Sequence, residues 1–210
     1  MKARMMAGMG VLGGLCFVAA CGDPVPPAAQ ASVSIHVNAY DDPINHPMDR
    51  CPPDRHWVNI PYQRGREPRE QTQGPNQTDH GAVAVNNQDG NVISCRVVPS
   101  GSKFLVTASA QGYAENAVKK ISPATVNISI PSIGPDDSSA PGRLALSDAA
   151  SINTYESTDC TYSVSGGELG IGAGQIWAKV HCENLGFERS PGSNCLVDDG
   201  YFIFENCADK

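Results

Sequence analysis

The chain has 210 residues, of which 40% are hydrophobic, 6% aromatic and 18% charged, and it carries one apolar stretch, which excludes a polytopic membrane protein. Its content of Val, Ile, Phe, Tyr and eight Cys excludes a wholly disordered chain, and it lacks the Ala, Glu, Lys and Leu runs of a coiled coil. A formal net charge of −7, with no basic patch, disfavours nucleic acid and anionic headgroups as partners.

The first element in chain order is an export signal over residues 1–20. Lys2 and Arg4 open it, Met5 to Ala20 is apolar, and the small residues Ala19 and Ala20 precede Cys21. The apolar stretch is short for a stable membrane span. The tetrapeptide Val18-Ala19-Ala20-Cys21 resembles a bacterial lipobox. That resemblance implies cleavage before Cys21, a diacylglycerol thioether on its sulfur and an acylated amine. In lipoproteins an Asp directly after the lipidated Cys favours inner-membrane retention. Here that position is Gly22 and Asp23 comes one later, so the resemblance implies a lipid-anchored protein of the bacterial cell envelope, at the outer membrane and facing the periplasm or the surface. Losing Lys2 and Arg4 with the signal takes the formal charge from −7 to −9.

Residues 21–30 read as a tether, because Pro24, Pro26 and Pro27 hold it extended and little in it can be buried. Ala31 to Val37 alternates, with Val33, Ile35 and Val37 on one face and Ser32, Ser34 and His36 on the other, as a half-buried strand does. Residues 38–80 are loop-rich and punctuated by seven prolines from Pro43 to Pro75. Within them Trp57 to Ile60 is a short apolar piece, and Arg64 to His80 is polar throughout. Ala82 to Val85 and Val92 to Val98 predict a hairpin, with Asp89-Gly90 as its turn signal. Strands follow at Lys103 to Ser109, Ala124 to Ile130 and Arg143 to Leu146, then near 160–165, 175–182 and 201–206. Pro131 to Gly142 reads as a loop, and Ser147 to Thr154 as one helical turn at most.

About nine short strands with turns between them define an all-β protein. The expected architecture is a disulfide-stapled antiparallel β-sandwich or jelly-roll-like domain with long Pro-rich loops, occupying residues 31–210. A split into two subdomains near Pro131 to Pro141 is the alternative. Phe202 and Phe204 on one face, with Tyr201 and Ile203 on the other, predict a central strand apolar on both sides. Trp177 is expected in the core.

With Cys16 in the signal and Cys21 as the lipidation site, six cysteines remain: Cys51, Cys95, Cys160, Cys182, Cys195 and Cys207. An even number in an exported protein predicts three disulfides. The glycine-rich segment from Gly166 to Gly174 joins two alternating runs, and a hairpin of those runs sets Cys160 opposite Cys182. The accompanying pairs are then Cys195–Cys207 and Cys51–Cys95. The rival set is Cys182–Cys195 with Cys160–Cys207.

The run Gly174-Gln-Ile-Trp-Ala-Lys-Val-His-Cys182 and the ending Gly200-Tyr-Phe-Ile-Phe-Glu-Asn-Cys207 together form the most distinctive stretch. It resembles a pattern in uncharacterised glycine-rich bacterial secreted lipoproteins: a G-x-[IV]-W-A strand, a Cys, and a terminal G-x-F-x-F-E-N-C strand. The resemblance covers the last third of the chain and implies no particular activity.

No catalytic motif is present: there is no G-x-S-x-G, no H-E-x-x-H and no P-loop. Gly170, Gly172 and Gly174 lie between strands, so they build no phosphate cradle. His46, Met48, Cys51 and His56 offer soft ligands for copper or zinc without a recognised spacing. Asp41-Asp42, Asp136-Asp137 and Asp198-Asp199 are oxygen-rich loops without the calcium-loop pattern, and turn formation explains them equally well. No cofactor is therefore expected, with calcium as the exception to test. His36, His80 and His181 stand isolated. The leading expectation is a non-enzymatic binding or assembly module, held to the membrane by its N-terminal lipid, with Arg64 to His80 as its contact loop. Its partner would be an envelope protein or polysaccharide. One alternative is carbohydrate recognition through Trp57 and Tyr62, with calcium as an optional aid. The other is an envelope hydrolase with a non-local site.

Overall fold

A computed structural model of the chain describes residues 27–38, 56–61, 83–115, 121–148, 153–165, 169–187 and 194–209. These residues form strands joined by turns, with no helix among them. The strands are β1 (Gln30–Asn38), β2 (His56–Ile60), β3 (Ala84–Val85), β4 (Val92–Ser100), β5 (Lys103–Glu115) and β6 (Ile121–Ile133). They continue with β7 (Ala140–Asp148), β8 (Asn153–Ser163), β9 (Gly170–Gly172), β10 (Gln175–Phe187) and β11 (Asn194–Glu205).

All eleven belong to one antiparallel sheet, ordered β2-β1-β11-β10-β8-β7-β6-β5-β4, with β3 beside β1 and β9 beside β10. From β4 to β8 each strand pairs with its predecessor, as short connections favour. The N-terminal β1 then docks on β11, so the first and last strands are neighbours. The sheet curls until its far limbs meet. β2 packs against β5, and just past β11 the chain reaches the edge of β4, where Val97 N donates to Ala208 O at 2.9 Å and Ala208 N to Cys95 O at 3.0 Å. The arrangement is sandwich-like and all-β, as the alternating sequence implies.

The core lies inside that curl. Alternation decides which side chains enter it: β6 turns Ala124, Val126, Ile128 and Ile130 inward and Asn127 outward. Across the β1–β11 ladder Ala31 lies opposite Phe204, Val33 opposite Phe202 and Val37 opposite Val197, and all six are fully buried. Burying each such Val or Phe side chain contributes about 1.5–3 kcal/mol. Tyr162 packs edge-on against Phe202 with ring centroids 5.9 Å apart, and its hydroxyl donates to Arg143 O at 2.8 Å. Burial pushes its phenol well above the ordinary value, so it stays a neutral donor.

Several expectations need correction. The expected hairpin of 82–85 with 92–98 is not a strand pair. Its turn exists, with Asn87, Asp89 and Gly90 all at positive φ, but β3 pairs with β1 instead of β4. Residues 147–148 and 153–154 are strand, not part of a helical turn. The Pro131 to Gly142 loop shrinks, because β6 runs to Ile133 and β7 starts at Ala140. Trp177 is not in the core. Its neighbours Ile176 and Ala178 point inward, which leaves the indole half-buried on the outer face, donating to Glu205 Oε1 at 3.1 Å.

Two of the three expected cysteine pairs also change. Cys160–Cys182 is present and joins directly opposed residues of β8 and β10. Cys95, however, pairs with Cys207, which rules out both Cys51–Cys95 and Cys195–Cys207. The reason is the curl: it brings the edge of β4 onto the end of β11, a contact between residues 112 apart in sequence. Cys195 is also disulfide-bonded, to a partner outside the described residues. The rival pairs Cys182–Cys195 and Cys160–Cys207 are excluded as well.

Candidate functional site

Two constellations stand out, one polar and one apolar. The polar one forms where β1, β2 and β11 run side by side. The β1–β11 register shifts between His36 and Val37, because Asp198 is an extra residue between Val197 and Asp199. Such a bulge re-aims the side chain it carries. The Asp198 carboxylate reaches across to His36 Nδ1 at 2.7 Å through Oδ1 and accepts from Asn38 Nδ2 at 3.0 Å through Oδ2. His36 stacks on Trp57 of β2, with centroids 4.6 Å apart and planes 20° apart. Burial works to raise the Asp198 carboxyl, but the Asn38 hydrogen bond and the charge and hydrogen bond of His36 outweigh it and hold the group below the usual carboxylate range.

Behind this pair, on the same face of β1, Ser34 Oγ donates to Asn59 Oδ1 at 2.6 Å. Asn59 is 1% exposed and its Nδ2 is buried with no hydrogen-bond partner. The cluster is thus a carboxylate that fixes an imidazole, with a ring and two amides around it. A base and its orienting acid are in place, and among the described residues no group of three His, Cys, Asp or Glu side chains is arranged to hold a metal ion.

The apolar constellation is an open groove of about 400 Å³ at the other end of β1. Pro61, Val83, Val85, Tyr113 and Ile121 supply its apolar lining. Gln88, Asp89 and Asn91 of the turn after β3 supply its polar rim. Gly90 lies against the Tyr113 ring, where a Cβ would come within 3.4 Å of Cε2, so the turn can sit flat on the tyrosine. Tyr113 remains 49% exposed and Ile121 52%.

The other residues singled out in the sequence fall elsewhere. Cys21, His46, Met48, Cys51, Tyr62 and the Arg64 to His80 segment lie outside the described residues, and of His56 only the backbone, in β2, is described. Trp57 has one ring face taken up by His36. Asp137 closes its own turn, accepting from Gly134 N at 2.7 Å and from Lys103 Nζ at 3.1 Å. Gly170, Gly172 and Gly174 lead from β9 into β10, with Gly174 at φ +76° in the turn. His36 carried no signal in the sequence: its acid partner is 162 residues away, and the bulge that joins them has no local signature. The groove was equally silent, although Val83, Tyr113 and Ile121 are apolar residues at strand ends, where exposure is common.

No protein-family model, curated protein or solved structure matches this chain.

Proposed function

We propose that this protein is a non-enzymatic contact module of the bacterial cell envelope, held to the membrane by lipid on Cys21, whose disulfide-stapled sheet presents one apolar end to a partner. The observation that carries the reading is the groove, where large side chains of Tyr113 and Ile121 stay about half exposed around an open cavity. Clustered exposed apolar surface of this kind marks contact sites, because leaving it in water is unfavourable. The stapled strands supply a rigid support for it.

The test is a photo-crosslinking residue placed at Tyr113 in the intact protein in cells. Adducts concentrated on one envelope component are expected, and the same residue at Leu105 should not yield them. A folded, abundant protein that gives no adduct from Tyr113 overturns the contact reading and favours an enzyme with a small substrate.

A further inference from the structure

We propose that the end of the sheet where the tether enters rests on the bilayer that holds the lipid, with Val83, Val92, Tyr113 and Ile121 dipping into its headgroup region. This deepens the contact reading and rests on acylation of Cys21. The first support is position. Asn86 N donates to Ala29 O at 2.9 Å and Asn206 Nδ2 to Ala28 O at 3.2 Å, so the chain enters the fold beside the turn that walls the groove. The second is reach. Ala29 lies eight residues on from Cys21, and an extended chain spans at most about 3.6 Å per residue, so this end stays within about 29 Å of the acylated residue.

The third support is chemistry. Of the large apolar side chains exposed among the described residues, Val83 (39%), Val92 (51%), Tyr113 (49%) and Ile121 (52%) belong to this end. Leu105 alone is at the opposite end, by the turn between β4 and β5. An amphipathic ring beside aliphatic side chains suits the boundary between headgroups and acyl chains. Among the described residues, the groove lining holds one charged group, Asp89, and no Lys or Arg. A zwitterionic surface fits that lining, whereas anionic headgroups would call for a polybasic patch. The tether keeps the bilayer at high effective concentration, so weak insertion suffices to set the orientation.

The test uses the acylated full chain in phosphatidylcholine vesicles with brominated acyl chains, which quench tryptophan at the depth of the bromines. Tyr113→Trp is compared with Leu105→Trp; both positions are exposed, and both variants keep Trp57 and Trp177 as a common background. The added tryptophan at 113 is expected to be quenched about twofold more than that at 105, as for a side chain lying 5–10 Å into the boundary. Ile121→Asp in the Tyr113→Trp protein should bring its quenching down toward the Leu105→Trp level. Equal quenching at 113 and 105, on protein whose intact mass carries the lipid increment, overturns the docking and leaves the anchor standing. Quenching at 113 that Ile121→Asp does not reduce also overturns it. An intact mass without the increment overturns the anchor, and the docking with it.

Discussion

Gly142 shows how a single atom is excluded by the fold: a Cβ there would sit 2.6 Å from Ser129 O and 2.7 Å from Tyr162 Cε2. Gly142→Ala must therefore displace the ring that packs on Phe202, and it should lower stability by about 1–3 kcal/mol in a denaturant melt. Gly101→Ala is the contrasting case, with nothing within 4 Å but a φ of +65°, and backbone strain should make it cost about 1 kcal/mol. A midpoint unchanged in Gly142→Ala would show that Tyr162 is free to move. The Asp198–His36 pair makes a prediction of another kind. Asp198 is held below the usual carboxylate range, so its contribution is complete above the unfolded value and is lost as pH falls through the lowered folded one. Asp198→Asn should therefore be less stable than the parent at pH 5, and the two should converge as pH drops below about 4. With Asp198 39% exposed, the gap at pH 5 should be under about 1 kcal/mol. A constant gap across that range would remove the carboxylate from the account. Gly142 gave no signal in the sequence and Asp198 stood out only as half of an acidic pair, because each acts through a neighbour that the sheet register supplies.

At the scale of elements, what the sequence revealed and what it concealed divide along a physical line. A strand with one buried face, such as β6, was legible because alternation records burial directly, whereas β1, read as half-buried, is covered on both faces, with Ser32 and Ser34 buried beside Val33 and Ile35. Pairing was legible where the partners lie close in the chain: Cys160 faces Cys182, 22 residues on, across the β8–β10 ladder. It was not legible where the curl of the whole sheet decides, as for Cys95–Cys207 or for β3 leaving β4 to join β1. The same difference should appear in energetics. Loop closure gives about 3 kcal/mol for the short link and about 4–5 kcal/mol for the long one. Replacing Cys95 and Cys207 together by Ser should therefore lower stability more than replacing Cys160 and Cys182, by thermal or denaturant melting. The reverse order would mean that the β4 edge is held by its hydrogen bonds to Gly174 and Ala208 rather than by the link. Counting completes the set. Cys195 is bonded, and on the proposed reading, in which Cys16 leaves with the signal and Cys21 is acylated, Cys51 is the cysteine left for it. Peptide mapping without reduction should recover Cys51 joined to Cys195, and a free Cys51 would contradict the three-disulfide count.

For the molecule as a whole, the proposed anchor and the scaffold should be separable, because the described links join Cys95 to Cys207 and Cys160 to Cys182, and the described chain first engages the fold at Ala28 and Ala29. The fold takes hold of the chain there, through Asn206 and Asn86, and the buried face of β1 begins at Ala31. Among the described residues, the large side chains of the core come from β1 onward. On the proposed reading, attachment depends instead on acyl chains worth about 0.8 kcal/mol for each buried CH₂, far more than a few exposed side chains supply. Cys21→Ser should therefore move the protein from the membrane fraction to the soluble fraction of the envelope. Its disulfide map and melting midpoint should match those of the parent protein. Membrane retention of Cys21→Ser would mean that the apolar end binds on its own, or that the signal segment stays attached; the mass of the N-terminal peptide separates these. A changed disulfide map would mean that Cys21 takes part in the scaffold, and the lipid reading would fall. The separation has a consequence for the apolar end as well. A patch too weak to hold the protein on a membrane alone can still orient it once the lipid has brought it there, which is the role the short tether and the groove beside it imply.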